Sequence, residues 1–247
     1  MIIAIDAGNT RIKWGVFDGK KWISLGVLST ANAWQLADVS AAWPENAPAV
    51  ACNVAGKTVE TAINASLSSR PPILWLRPAA EMCGIRNSYQ SPQTLGADRW
   101  SALIGARQLT RASCLVVCAG TATTIDWLDA SGVFRGGLIL PGLELMYASL
   151  ASNTVQLPMV SDGQASAEPR CTRDAIASGC LHAQIGAIER MFSRARCDSS
   201  AICLITGGAA KCLTPHLEIP FRLEENMILD GLIYYASRHR DMLFVSD

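Results

Sequence analysis

Residues 2–10, Ile-Ile-Ala-Ile-Asp-Ala-Gly-Asn-Thr, and residues 114–122, Cys-Leu-Val-Val-Cys-Ala-Gly-Thr-Ala, are two versions of one device. Each is a short apolar run that ends in a small-residue turn carrying glycine and hydroxyl side chains. A second β-rich run follows each turn, and then a hairpin signal, Asp18-Gly19 in the first copy and Ser131-Gly132 in the second. A shift of 112 residues lays Ala7-Gly8-Asn9 on Ala119-Gly120-Thr121. A duplicated strand–turn–strand unit of this kind predicts two related lobes, each offering a backbone loop to a phosphate chain. The copies differ at one chemically decisive position, where Asp6 in the first is replaced by Cys118 in the second.

Strand and helix signals alternate along the rest of the chain. Strands are predicted at Met1–Asp6, Arg11–Phe17, Trp22–Leu28, Val50–Val54 and Ile73–Leu76, with helices over Ala33–Ala42 and Lys57–Leu67. Arg77–Leu95, punctuated by Pro78, Gly84, Asn87 and Pro92, reads as loop, and Ala97–Leu109 as helix. The second half repeats the plan, with strands at Cys114–Cys118, Thr123–Leu128 and Val133–Leu140 and a helix after Pro141-Gly142. Leu157–Glu168 reads as a flexible loop. A long helix over Thr172–Arg196, with a potential break at Gly179, leads to a buried strand at Ile202–Ile205, and a helix over Met227–His239 follows. The alternation predicts an α/β fold in two lobes, residues 1–110 and 111–247.

Composition narrows the function. With 21 basic and 21 acidic residues the chain has no general attraction for nucleic acid or an anionic membrane surface, and neither is expected as a partner. No apolar run reaches membrane-spanning length, and no secretory leader pattern opens the sequence. Nine cysteines are present, an odd count without a Cys-x-x-Cys pair, and several sit in apolar runs as small hydrophobes. The three histidines lack metal-ligand spacing, so a zinc site is not expected. A reduced, cytoplasmic enzyme is the expectation.

Four segments could carry chemistry. In Asp6-Ala7-Gly8-Asn9-Thr10 a carboxylate ends a buried strand, a costly placement unless a metal ion or another charge accompanies it. Gly8 admits backbone N–H groups to an anion, and Lys13 could add positive charge; an ordinary Asp/Gly/Asn turn is the alternative. Gly120-Thr121-Ala122-Thr123-Thr124 is its hydroxyl-rich counterpart. Thr206-Gly207-Gly208 could admit a flat group or an anion at a helix start, or serve only close packing. In Gly96-Ala97-Asp98-Arg99-Trp100, Asp98 is either a helix cap or a general base for a hydroxyl acceptor, and Arg99 could hold an anionic group in its fork of donors.

Taken in order, Asp6–Thr10, Tyr89, Gly96–Arg99, Gly120–Thr124, Gly136-Gly137 with Pro141-Gly142, Thr172 and Gly207-Gly208 resemble the type III pantothenate kinases. That family belongs to the superfamily of acetate and sugar kinases, heat-shock chaperones and actin. The resemblance implies two ribonuclease H-like lobes with mixed sheets flanked by helices, an actin-like ATPase duplication. It implies phosphorylation of pantothenate by ATP with Mg²⁺, the first step of coenzyme A synthesis. It implies that Asp6, Ala7, Gly8, Asn9, Thr10, Arg11, Ile12 and Lys13 form the first phosphate loop, that Asp6 holds magnesium, through water, and that Thr121 contacts ATP. It implies that Tyr89, Gly96, Ala97, Asp98, Arg99 and Thr172 bind pantothenate, with Asp98 as proton acceptor, in a homodimer where Thr172 acts across subunits. Relatives carry an Asp two residues before the second loop's glycine that binds a monovalent cation, K⁺ or NH₄⁺. Here it is Cys118, a poor partner for a hard cation, so weak or absent potassium dependence is expected, or a site rebuilt from other oxygens. Two other functions stay open from the sequence: another small-molecule kinase of this fold, and a non-enzymatic ATP-binding regulator.

Overall fold

The computed structural model describes residues 1–153, 165–195 and 198–243. Strands β1 (Ile2–Ala7), β2 (Arg11–Phe17) and β3 (Trp22–Ser29) form an antiparallel meander. A 3-10 segment (Thr30–Gln35) and the short α1 (Leu36–Ser40) lead into β4 (Ala49–Asn53), which is parallel to β1. Helix α2 (Lys57–Ser66) then carries the chain to β5 (Leu74–Trp75), parallel to β4. The resulting sheet has the order β3-β2-β1-β4-β5. β1 is its centre because Ile3, Ala4, Ile5 and Ala7 have no exposed surface, so the strand is apolar on both faces.

The segment read as loop between β5 and the next helix holds a small hairpin, β6 (Glu81–Met82) and β7 (Ile85–Asn87). Cys83 and Gly84 turn it with φ of 53° and 76°, the two positive values a two-residue hairpin turn requires. Strands of two and three residues are too short for an alternating pattern to register in the sequence. Helix α3 (Ala97–Leu109) follows.

In the second half, β8 (Cys114–Ala119) and β9 (Ala122–Leu128) are antiparallel, and β10 (Val133–Pro141) is β9's other neighbour. Helices α4 (Leu143–Asn153) and α5 (Thr172–Ala195) precede β11 (Ile202–Thr206), and the short α6 (Ala210–Leu213) precedes β12 (Phe221–Leu223). β11 is parallel to β8 and β12 to β11. These five strands take the order β10-β9-β8-β11-β12, which is the third-second-first-fourth-fifth order of the first sheet again. The duplicated turn seen in sequence is therefore the β1–β2 connection and its topological twin, the β8–β9 connection. Helix α5 runs unbroken through Gly179, whose Cα faces open space. It lays Ile176, Cys180, Leu181, Ile188 and Phe192 on Leu115, Val117 and Ile125 of the sheet. The expected loop at Leu157–Glu168 lies outside the described residues over 157–164, as does Arg196.

Two compact units result, Met1–Leu109 with Gly132–Phe134 and Asn226–Asp247, and Thr110–Ser131 with Arg135–Glu225. The structure thus differs from a single cut near residue 110, since α7 (Met227–Arg238) and the short α8 (Arg240–Leu243) group with the first unit. Backbone proximity explains the return. Ser101 Oγ of α3 donates to the Ile228 carbonyl at 2.7 Å, and a Cβ on Gly231 would lie 1.9 Å from the Ser101 carbonyl oxygen. No described helix is long and apolar enough to cross a membrane.

Candidate active site

Asp6 is the penultimate residue of β1, with Lys13 opposite it on β2 and Cys52 opposite it on β4. Directly opposed residues share a sheet face, so carboxylate, ammonium and thiol project together. Asp6 is 6% exposed, and the Cys52 thiol donates to its Oδ1 at 3.4 Å. Burial, together with the charge of Asp98, pushes the Asp6 carboxyl up to about 6, against the opposing influence of Lys13 and Cys52. Burial and the neighbouring carboxylates likewise push the Cys52 thiol well above its ordinary range, so it stays a protonated donor.

The turn after β1 is closed by the Gly8 N–H donating to the Arg11 carbonyl at 3.1 Å. Thr30 anchors it from outside: its Oγ1 donates to the Gly8 carbonyl at 2.7 Å and its N–H to the Thr10 carbonyl at 3.0 Å. Asn9, Thr10 and Arg11 are exposed, whereas Ala7 and Ile12 are fully buried and can offer a ligand only backbone groups.

At the start of α3, Asp98 is the helix's second residue rather than its cap. Its Oδ1 accepts the Arg99 N–H at 2.8 Å, and burial raises its carboxyl above the ordinary carboxylate value. At Gly96 a Cβ would sit 2.6 Å from Asp98 Oδ1, so a side chain there would displace the carboxylate. Arg99 is buried and its Nη1 donates to the Tyr89 hydroxyl at 3.0 Å. Tyr89 is held in turn by Asn87, whose Oδ1 accepts the Tyr89 N–H at 3.0 Å and whose Nδ2 donates to the Pro92 carbonyl at 3.2 Å. The first unit thus brings Asp6, Lys13, Asp98, Arg99 and Tyr89 into one electrostatic neighbourhood.

In the second unit, two glycine-bearing segments converge on the turn Gly120–Thr121. The Gly142 N–H donates to the Thr121 carbonyl at 2.9 Å, and a Cβ on Gly142 would approach the Gly120 carbonyl to 2.2 Å. Gly207, at φ 104°, brings its backbone so close to β8 that a Cβ would lie 2.2 Å from the Ala119 carbonyl. Thr121 itself is exposed. Cys118 lies between Thr124 of β9 and Thr206 of β11 in register. Thr124 is buried with an Oγ1 that has no hydrogen-bond partner. Thr172 opens α5, exposed, at the rim of an apolar groove of about 450 Å³ that Met146, Leu150, Ile176 and Gly179 also line.

Among the described residues no cluster of three or more His, Cys, Asp or Glu side chains could hold a metal by itself. Asp6, with Asp98 as a second negative charge nearby, nevertheless suits Mg²⁺, which is bound through one or two carboxylates with waters and phosphate oxygens rather than in a protein cage. Their mutual repulsion, visible in Asp6, is the charge that a divalent cation would neutralise. Sequence reasoning missed Cys52, Asn87, Thr30 and Phe134. Each lies in a stretch that looks ordinary by composition, and only contact with a distant residue marks it.

The fold recurs in solved structures. A Campylobacter jejuni protein described as a Baf family transcriptional activator has a TM-score of 0.64 at 19% identity, over 97% of this chain and 99% of that one. MreB5 of Spiroplasma citri bound to ADP has a TM-score of 0.55 at 9% identity, over 97% of both chains. At such identities these likenesses concern the fold alone, an α/β duplication. Sequence relatives are far nearer. The type III pantothenate kinase of Aromatoleum aromaticum is 53% identical over 239 residues, 96% of this chain and 98% of its own. A sequence model of that family matches residues 2–194, and the chain belongs to the type III pantothenate kinases.

Proposed function

We propose that the protein phosphorylates pantothenate with ATP to give 4′-phosphopantothenate and ADP, the first step of coenzyme A biosynthesis. The observation that carries this reading is the first turn of α3, where a carboxylate of raised proton affinity and a buried arginine stand side by side. Family membership supports the substrate. The primary hydroxyl of pantothenate lies at Asp98, and its carboxylate lies at Arg99, with Tyr89, Gly96 and Ala97 lining the acceptor site and Thr172 serving it across the dimer.

As the hydroxyl oxygen bonds to the γ-phosphorus, the bond to the bridging oxygen of ADP breaks and Asp98 accepts the hydroxyl proton. The backbone and side chains of Ala7 to Lys13, with Thr121, hold the phosphate chain. Asp6 would hold Mg²⁺ through water, and the ion would supply neutralisation of the phosphate charge. Most of the acceleration comes from positioning and charge compensation, because the protein forms no covalent intermediate.

Asp98→Asn is expected to lower turnover by about 10²–10⁴-fold while nucleotide affinity, read by titration calorimetry, stays within a few-fold. Turnover near wild type would remove Asp98 from the base role. We also read the enzyme as indifferent to monovalent cations, since a thiol at Cys118 replaces a hard oxygen donor. In sodium-free organic buffer its rate should be flat from zero to high potassium, and strong activation would refute this. We further read the enzyme as a cytoplasmic homodimer; the eight described cysteines are free thiols, which suits a reducing compartment.

A further inference from the structure

The two duplicated turns are tied down at the same topological point. In the first unit the residue after the third strand, Thr30, donates its N–H to the Thr10 carbonyl at 3.0 Å and its hydroxyl to the Gly8 carbonyl at 2.7 Å. In the second unit the residue after the third strand is Gly142, whose N–H donates to the Thr121 carbonyl at 2.9 Å. A side-chain anchor like that of Thr30 has no room there, since even a Cβ would lie 2.2 Å from the Gly120 carbonyl oxygen. Side-chain anchorage comes instead from α5. Gln184 Nε2 donates to the Pro141 carbonyl at 2.6 Å and to Met146 Sδ at 3.3 Å, so it grips the last residue of β10 and the first turn of α4 on either side of Gly142.

Gln184 has no exposed surface, and its spacing puts it on the face of α5 that carries Cys180, Leu181 and Ile188 into the core. Its Oε1 is buried and has no hydrogen-bond partner among the described residues. A stranded amide oxygen in such surroundings is destabilising, so packing alone would favour an apolar side chain of this length. We infer that Gln184 is a positioning residue for nucleotide binding. Its amide fixes the junction of β10 and α4, and through the Gly142 N–H that junction holds the Gly120–Thr121 turn in the shape that receives the phosphate chain. Gln184 itself touches no reacting atom. This inference rests on the reading that the turn holds the phosphates of ATP.

The test is Gln184→Met, which keeps the length of the side chain and removes both the donor and the stranded oxygen. The calorimetric Kd for ADP and the KM for ATP should each rise about 5- to 30-fold, with KM for pantothenate within about twofold of wild type. The thermal midpoint should stay within about 4 °C of wild type or rise, because the unpaired oxygen leaves with the amide. Equal weakening of both substrates, or unchanged nucleotide affinity, overturns the inference. If Gln184→Met does not melt cooperatively, Gln184→Leu carries the same comparison. Thr121→Asp separates the two levels, since it places a carboxylate at an exposed position of the turn itself, where it should repel a phosphate chain. If Thr121→Asp leaves the Kd for ADP unchanged, the phosphate reading falls and the inference with it. If Thr121→Asp weakens ADP while Gln184→Met does not, only the role of Gln184 falls.

Discussion

Charged side chains in this protein have opposite fates according to what faces them. Asp6 is buried beside a second carboxylate and resists ionisation. Glu60 is nearly as well covered, yet Arg77 at 2.8 Å and Lys57 at 2.9 Å hold its carboxyl down at about 2, from an ordinary 4.5. A carboxyl whose folded value is depressed stabilises the fold above its unfolded value and loses that contribution as pH falls through the folded one. Both cationic partners are largely exposed, so solvent screening leaves about 1–2 kcal/mol of the nominal gain. Glu60→Gln should therefore lower the urea-unfolding free energy by about that much at pH 7. The gap between mutant and wild type should narrow on acidification from pH 4.5 toward 2. A gap that widens instead would show that the pair does not stabilise the folded state.

Among the elements, α3 carries Asp98 and Arg99, the residues proposed for the acceptor site, and its position is set by α7. Gly105 and Gly231 let the helices approach until backbone meets backbone: a Cβ on Gly105 would lie 2.3 Å from the Met227 carbonyl. Relief by side-chain rotation is unavailable where the obstacle is a carbonyl oxygen. Gly231→Ala is expected to destabilise the protein by about 3 kcal/mol, read as a lowered thermal midpoint. Ser101→Ala, which removes only the hydrogen bond to Ile228, should cost about 1 kcal/mol. Comparable midpoints for the two variants would mean that the helices separate freely. Because α3 carries Asp98 and Arg99 in its first turn, the glycine variant should also raise KM for pantothenate more than the serine variant does.

At the scale of the molecule, the second unit presents a surface that a lone chain leaves apolar. Of the eleven residues of α4 only Leu143 is buried, while Leu145 is 45% and Leu150 36% exposed. The groove these helices form includes Thr172, the residue expected to serve a neighbouring subunit. Covering this face with a second copy would join dimerisation to acceptor binding. Light scattering should give twice the mass of the chain for wild type, and Leu150→Glu should shift the population toward monomer with a loss of pantothenate affinity. A monomeric wild type would remove this face as a dimer interface.

Local sequence patterns carried the duplicated turn, the strand–helix alternation and the boundaries of α2, α3 and α7. Hydrophobic period, glycine turns and helix starts are written within a few residues of one another, so they survive without the fold. Long-range packing returns residues 227–243 to the first unit, sets Cys52 against Asp6 and lays Phe134 against Arg99. It also gathered Gly120, Gly142 and Gly207 at one turn. These partners are separated by tens of residues or more, and the side chains involved are apolar, small or neutral. For Cys52 and Phe134, nothing in the surrounding sequence distinguishes them from core, because their role arises only from the residue that the folded chain places opposite them.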